Sequence, residues 1–250
     1  MSQASEPTIS VVDKAEDFAQ AFDCCAATFG TQTEDGIWIA MSPGWKTPEG
    51  RSAGIQRMVD RWQATTKDAN GDANTIFLKA TIPDPENKAS GADRLVGFAI
   101  WHQLSAVPGH GDEPPTKERM KANAAAIYPG NEAEQRYIAQ LDWSLHKRRI
   151  ELVNEKAKTA SPAVFVLDLC IVDPSFQRRG IARKLVQWGL DEAKRRGDHE
   201  AITEASSMGR HVYLKMGFEQ EGSEIQYDVD PEFASRRLPS NIFLRTRPTS

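Results

Sequence analysis

The strongest constraint on this chain is a buried strand that runs straight into a helix start. Ala163 to Val172 is apolar except at Asp168, the pattern of a strand covered on both faces. Asp173-Pro174 turns the chain, and Gln177-Arg178-Arg179-Gly180-Ile181-Ala182 opens a helix. Ile181, Leu185 and Trp188 then repeat at helical spacing over Ile181–Arg196. The first N–H groups of a helix have no intrahelical partner and sit at the positive end of its dipole. Small residues at Gly180 and Ala182 let an anion approach those amides, and Arg178, Arg179 and Arg183 add charge at the rim. This is an anion cradle suited to a pyrophosphate. Taken alone, it competes with a strand–turn–helix whose arginines are simply solvated.

Composition narrows the surroundings. The 250 residues carry 31 Lys and Arg against 35 Asp and Glu, a net charge of −4. No global basic field exists to hold nucleic acid or an anionic membrane, so neither is expected as a partner. Three cysteines, two of them adjacent at Cys24 and Cys25, cannot make a disulfide framework. Met1–Ser10 lacks a basic stretch followed by an apolar run, so no secretory leader is expected. No apolar run approaches the roughly 20 residues of a membrane span. The expectation is a soluble protein of the cytoplasm, monomeric or homodimeric. The five histidines and three cysteines show no metal spacing, and no metal is expected. Walker, dinucleotide-fingerprint and His-Glu-x-x-His patterns are absent as well.

Along the chain the reading is mixed α/β in a single domain spanning residues 1–250. Thr8–Val12 is a strand. Asp13 and Glu16 resemble a capping box, ahead of a helix with Phe18, Phe22, Cys25 and Phe29 on its core face. Thr31–Glu49 reads as loop despite Trp38, Met41 and Trp45, and a helix with Ile55, Val59 and Trp62 on one face follows. After a polar turn at Asp68–Asn74, Thr75–Ile82 and Arg94–Gln103 form an antiparallel hairpin around a loop rich in Pro, Asp, Asn and Gly. Thr116–Tyr128 and Asn131–Lys158 are helices, the second with Ile138, Leu141 and Leu145 as its stripe. Ala201–Ser206 is a strand, Arg210–Met216 a short helix, and Glu224–Val229 and Asn241–Arg247 are final strands. Lys147-Arg148-Arg149, Lys194-Arg195-Arg196 and Arg236-Arg237 read as solvated faces.

Several motifs in order resemble the GNAT (acetyl-CoA-dependent N-acetyltransferase) superfamily. Val172 to Ala182 looks like its motif A, whose core is Gln/Arg-x-x-Gly-x-Gly/Ala. Leu185-Val186-x-Trp188-Gly189 follows in the helix, and Glu204-Ala205-Ser206-x-x-Gly209 follows the next strand. Tyr213-x-Lys215-x-Gly217-Phe218 resembles the closing Tyr-x-x-x-Gly-Phe, and Leu95–Trp101 fits the central strand. The wording is closest to a subgroup common in filamentous fungi. The resemblance implies an α/β (α+β) GNAT fold: a mostly antiparallel mixed sheet with one splayed parallel strand pair, flanked by helices. It implies acetyl-CoA as co-substrate and direct transfer of acetyl to a primary amine. The pantetheine arm would lie along Cys170, Ile171 and Val172, and the pyrophosphate on the amides of Arg178 to Ala182, Ile181 included, with Gln177 and Arg183 also binding the cofactor. Ser206 stands where many members have Asn, which leaves its contact with the cofactor open.

By the same resemblance Tyr213 is the general acid that protonates the leaving thiolate, against a role limited to packing. Asp168 is charged within an apolar strand; if its face opens on the cleft, burial would raise its pKa toward that of a useful base. The competing reading is a structural pair with an Arg or Lys. Glu204 is the second candidate base, and a base acting through water is the third. Cys170 is either a covalent acyl carrier or strand packing, and direct transfer needs no such carrier. A minimal domain of this kind is about 150 residues, within the usual domain range, so roughly 100 more remain. They concentrate in two insertions, about 31–74 and 105–161, that would shape the acceptor site. Trp38 and Trp101, with Trp45, Tyr128 and Trp143, are candidates to line it, beside Asp168. A covered groove favours a small-molecule amine and an open one a peptide or protein. A non-catalytic acyl-CoA-binding protein is the reading from another class.

Overall fold

The computed structural model describes residues 6–84 and 93–246. Met1–Ser5, most of the loop inside the expected hairpin, and the last residue of the expected final strand lie outside them. In chain order the described residues form β1 (Thr8–Val11), α1 (Asp17–Cys25) and a π-helical continuation (Ala26–Gln32). Next come α2 (Gly36–Met41), α3 (Pro48–Gln63), β2 (Thr75–Pro83) and β3 (Asp93–Ser105). The middle holds α4 (Lys117–Ile127), α5 (Glu132–Lys156), β4 (Ala163–Val172) and α6 (Ile181–Arg195). β5 (Glu200–Ser206), α7 (Arg210–Leu214), β6 (Glu219–Glu224) and β7 (Asn241–Arg245) close the chain.

The strands make a seven-stranded sheet in the order β1-β2-β3-β4-β5-β7-β6. Every neighbouring pair is antiparallel except β4 with β5. A parallel pair needs a crossover, and α6 supplies it across one face of the sheet. That face is sealed by Trp101, Phe165, Leu167, Ile181, Leu185 and Val186. The opposite face is covered by α1 and α3 over β2 and β3, through Phe18, Phe77 and Phe98. Beside them α5 covers β4, β5 and β7, through Leu152, Val153, Val166 and Phe243.

β4 is not regular. Trp101 faces Leu167 while the next residue of β3 in the ladder, Ile100, faces Leu169, so Asp168 is the extra residue of a β-bulge. The bulge resets the side-chain alternation. Leu167 and Cys170 lie toward α6, whereas Leu169 and Ile171 lie toward α1.

Trp101 is the largest fully buried side chain of the core. Its ring stacks on Phe165 at 5.2 Å and 12°, and its Nε1 donates to the Leu185 carbonyl at 3.3 Å. A Cβ placed on Gly189 would fall 1.9 Å from that ring. Gly189→Ala is therefore expected to destabilise the fold by about 1–3 kcal/mol through overpacking, read as a lower midpoint in urea unfolding.

The sequence expectations need corrections here. Asp13 does not cap α1; the helix begins at Asp17 with no side-chain cap, and Asp13 pairs with Lys79 at 2.9 Å instead. The segment read as loop at Thr31–Glu49 contains α2, whose start is fixed by Asp35 Oδ1 accepting from Trp38 N at 2.8 Å. Glu224–Val229 is not a strand: the pairing runs earlier, over Glu219–Glu224, with a register shift beside Gly222. None of the three basic runs is simply solvated: Arg236 pairs with Glu134 and lies over the Tyr137 ring. Arg149 is 5% exposed. The Arg196 guanidinium lies over the Phe165 ring and donates to Gln103.

Candidate active site

The parallel pair β4–β5 is hydrogen-bonded only at Val164–Glu200, Phe165–Ala201 and Val166–Ile202. Beyond Val166 the strands part. Thr203 Oγ1 donates to the Leu167 carbonyl at 2.8 Å and closes the vertex. Further along, the peptide groups on the β5 side of β4 have no ladder partner. Asp173 N–H points to Val96 on β3, so by alternation the peptides of Val172 and Cys170 face the gap. The Val172 carbonyl is already used, by Thr28 Oγ1 at 3.2 Å and Gln177 Nε2 at 3.1 Å. The Cys170 peptide and the Val172 N–H remain for an amide-rich ligand, since buried backbone polar groups need partners.

The gap opens onto the start of α6. Arg178 and Gly180 both take left-handed backbone conformations, φ 62° and 80°. Together they converge the amides of Arg178 to Arg183, none of which donates to another described residue. Gly180 is required here by its φ, and the space above it is open: an added Cβ meets nothing within 4 Å. Arg178, Arg179 and Arg183 are exposed at the rim, although Arg179 turns back over the Phe176 ring. Ile181 contributes only its amide, its side chain being core. The Gln177 side chain is not in the cradle; it is tied to Gln32 by reciprocal amide bonds of 2.8 and 3.0 Å. Unsatisfied amides, a left-handed nest and rim arginines fit a pyrophosphate.

At the α6 side of the gap stand Cys170 and Tyr213. Burial pushes the Cys170 thiol up to about 12, despite the Tyr213 hydroxyl within hydrogen-bonding reach. A thiol held protonated is a poor nucleophile, which favours packing over an acyl-carrier role. Burial, with Cys170 beside it, also raises Tyr213 well above the usual phenol value. The Tyr213 ring folds back on α7: a Cβ on Gly209 would meet its hydroxyl at 3.0 Å. Ser206 Oγ accepts from Gly209 N at 3.2 Å, so this residue shapes the turn that places Tyr213.

On the other face the two candidate bases are joined. Arg149 reaches from α5 with Nη1 2.7 Å from Asp168 Oδ1 on β4, and with Nε 3.1 Å from Glu204 Oε1 on β5. Its Nη2 completes a bidentate pair with Glu204. The other Asp168 oxygen takes Arg61 Nη2 of α3 at 2.7 Å. Burial would raise the Asp168 pKa, but Arg61 and Arg149 outweigh it and hold the carboxyl well below its usual range. The expectation of a raised pKa is therefore reversed, and the alternative, a structural pair with arginine, is the arrangement present. Arg149 was hidden in a basic run. Its signal was its place on the helix: Ile138, Leu141, Leu145, Arg149 and Leu152 form one continuous stripe.

Trp101, expected to line an acceptor site, is 0% exposed and belongs to the core under α6. Trp38 is half-buried in α2, amid Phe22, Phe29 and Trp45 with ring centroids 5.5–6.4 Å apart. Tyr128 donates to the Ala40 carbonyl at 2.9 Å and so fixes the end of α2. Trp143 lies under Lys117 Nζ, 4.4 Å from its ring. Among the described residues no cluster of His, Cys, Asp or Glu could hold a metal, and no helix is long and apolar enough to cross a membrane.

Residues 152–229, which span β4, α6, β5, α7 and β6, match the family model described as "Acetyltransferase (GNAT) domain". The match covers 78 of the 250 residues, and those residues are similar to a domain described by acetyl transfer, an acyltransferase reaction. Solved structures share the GNAT fold over nearly the whole chain. Arylalkylamine N-acetyltransferase 2 from Aedes aegypti is 15% identical, covers 98% of this chain and 100% of its own, and has a TM-score of 0.60. The Drosophila melanogaster polyamine N-acetyltransferase is 13% identical, with 96% and 97% covered and a TM-score of 0.58. A Corynebacterium glutamicum protein described as a histone acetyltransferase and related acetyltransferase is 16% identical, with 98% of each chain covered and a TM-score of 0.55. None of the curated proteins matches the chain.

Proposed function

We propose that the protein moves acetyl from acetyl-CoA to the primary amine of a small molecule, by direct transfer with both substrates bound. Bound acetyl-CoA would supply an acetyl group activated as a thioester. The observation that carries the choice of acceptor is that two helices reach the gap: Arg149 of α5 joins Asp168 to Glu204, and Arg61 of α3 takes the other Asp168 oxygen. A gap bridged from α3 and α5 in this way admits a compact amine more readily than a peptide chain. The neighbouring structures named for arylalkylamine and polyamine acetylation support the same class.

In this reading Arg178 to Arg183 hold the pyrophosphate through their amides, and Cys170 and Val172 hold the pantetheine arm. Tyr213 holds the proton that the leaving sulfur takes. Asp168 and Glu204, both held by Arg149, shape the acceptor side of the gap. They do so as fixed anions.

Acetyl-CoA should raise the melting temperature, because a ligand that binds only the native state stabilises it by mass action. Thiol release should follow when an aromatic amine, a polyamine and an amino acid are offered in turn. Release with a peptide amine and none of the small ones would overturn the acceptor class. Stabilisation without release on any amine would point to an acyl-CoA-binding protein. No stabilisation by millimolar acetyl-CoA or CoA would sink both.

A further inference from the structure

In the acetyl-transfer reading the pyrophosphate lands on amides just before and at the start of α6. Affinity then depends on how well that loop is held beforehand, because ordering it on binding would cost free energy. Part of the loop is strained. Arg178 takes the left-handed φ of 62°, a conformation uncommon for residues other than Gly, Asn and Asp. A residue stays there only where its surroundings hold it. On one side Gly180 leads into α6. On the other the chain leaves β4 through Asp173, whose Oδ1 accepts from Ser175 N at 2.8 Å. Gln177, the residue just before Arg178, stands between these two points.

Gln177 is clamped. Its Nε2 donates to the Val172 carbonyl at 3.1 Å and to Gln32 Oε1 at 2.8 Å, and its Oε1 accepts from Gln32 Nε2 at 3.0 Å. A carbonyl can only accept, so Val172 fixes which end of the Gln177 amide is nitrogen. The Gln32 amide must then face it oxygen to nitrogen and nitrogen to oxygen. Thr28 Oγ1 donates to the same Val172 carbonyl at 3.2 Å. Both gripping residues belong to the π-helical continuation of α1, 144 and 145 residues before their partners. A π turn is rare and is found mostly at functional sites. This one closes with Thr33 N on the Thr28 carbonyl at 3.0 Å. Trp45 packs on its middle: a Cβ added to Gly30 would fall 2.6 Å from that ring. The packing fixes where the turn sits, and Gln32 carries that placement to the phosphate loop.

We propose that Gln32 is a positioning residue for the cofactor. Through Gln177 it holds the loop before α6 in the shape that the pyrophosphate needs, and Thr28 is the second point of attachment. The inference rests on the acetyl-transfer reading above. Gln32 acts on the loop and leaves the phosphates to the amides of Arg178 to Arg183. Without its amide, Gln177 keeps the Val172 carbonyl but loses both bonds that tie it to the π turn. The left-handed Arg178 is then held less firmly, and the ligand has to order it.

The test is titration calorimetry of the full chain with CoA. Gln32→Ala and Gln32→Leu should each raise the Kd about three- to tenfold, the scale of losing one or two ordinary hydrogen bonds. Gln32 is exposed, so the midpoint of urea unfolding should stay at the wild-type value. Gln177→Ala should weaken CoA as well, and the double variant should lose less than the two single losses combined, because the pair acts as a unit. In turnover the loss should appear in the KM for acetyl-CoA more than in kcat. Four results would overturn the assignment alone. They are a Kd within about twofold of wild type in Gln32→Ala, a Gln32→Leu variant that binds like the wild type, losses that simply combine in the double variant, and a fall in the urea midpoint that accounts for the weaker binding. The second would mean that bulk and not the amide matters. No binding of CoA or acetyl-CoA by the wild type would overturn the acetyl-transfer reading and this assignment together.

Discussion

Arg149→Met is expected to destabilise the protein by about 3–5 kcal/mol, the usual effect of removing one partner from a buried ionic cluster. For a chain of this size that is a fall in Tm of roughly 10 °C. Arg149 is surrounded: its side chain is 6% exposed, that of Glu204 3% and that of Asp168 16%. Burial would depress the guanidinium pKa, but Glu204 and Asp168 raise it instead, so the charge is held firmly. Without it Asp168 retains Arg61, but Glu204 is left buried with no cation.

The loss should depend on pH. Asp168 has a depressed folded pKa, so in the wild type its contribution is full above the unfolded value of about 3.9 and lost as pH falls through the folded value. In the variant Asp168 keeps Arg61 alone, so less of that contribution is present. The stability gap between the two proteins should therefore be full above about pH 4 and narrow as pH falls below it. A gap that does not change with pH in urea unfolding would mean that the loss is one of packing. Arg149→Lys should recover only part of the stability, because one ammonium cannot bridge two strands bidentately.

This bridge also marks where the sequence stops being legible. β4, the turn after it and α6 could be read because each signal is local: an apolar run, Asp-Pro, then a Gly before a periodic helix. The hairpin of β2 and β3 was plain for the same reason. What was not legible depends on partners far away in the chain. Alternation cannot say which face of a two-sided sheet is core, so Trp101 was a candidate to line the acceptor site, whereas it packs under Gly189. α2 is six residues held by one Asp35 cap and by Tyr128, 88 residues on. β6 has little apolar alternation, with Glu-Gln-Glu-Gly-Ser-Glu along an edge strand. The pKa of Asp168 reversed because its environment is set by Arg61 and Arg149, 107 and 19 residues away. A strand sequence shows the burial and hides the counter-charges.

Tyr213→Phe is expected to lower kcat by about 10²-fold, within the range for loss of a positioned proton donor, while the KM for acetyl-CoA changes little. The substitution removes one oxygen and keeps the ring, so packing against Phe218 at 6.0 Å survives. Burial and Cys170 hold the phenol protonated far above neutral pH, so its proton is present throughout the working range. Its position is built, not incidental: Ser206 fixes the turn, and Gly209 leaves room for the hydroxyl. A donor that acts on the leaving sulfur affects the chemical step, so kcat and kcat/KM should fall together. The thermal shift with acetyl-CoA should match that of the wild type. If kcat holds while KM rises, Tyr213 serves only to seat the pantetheine arm. If the thermal shift is lost as well, the hydroxyl supports binding and not proton transfer.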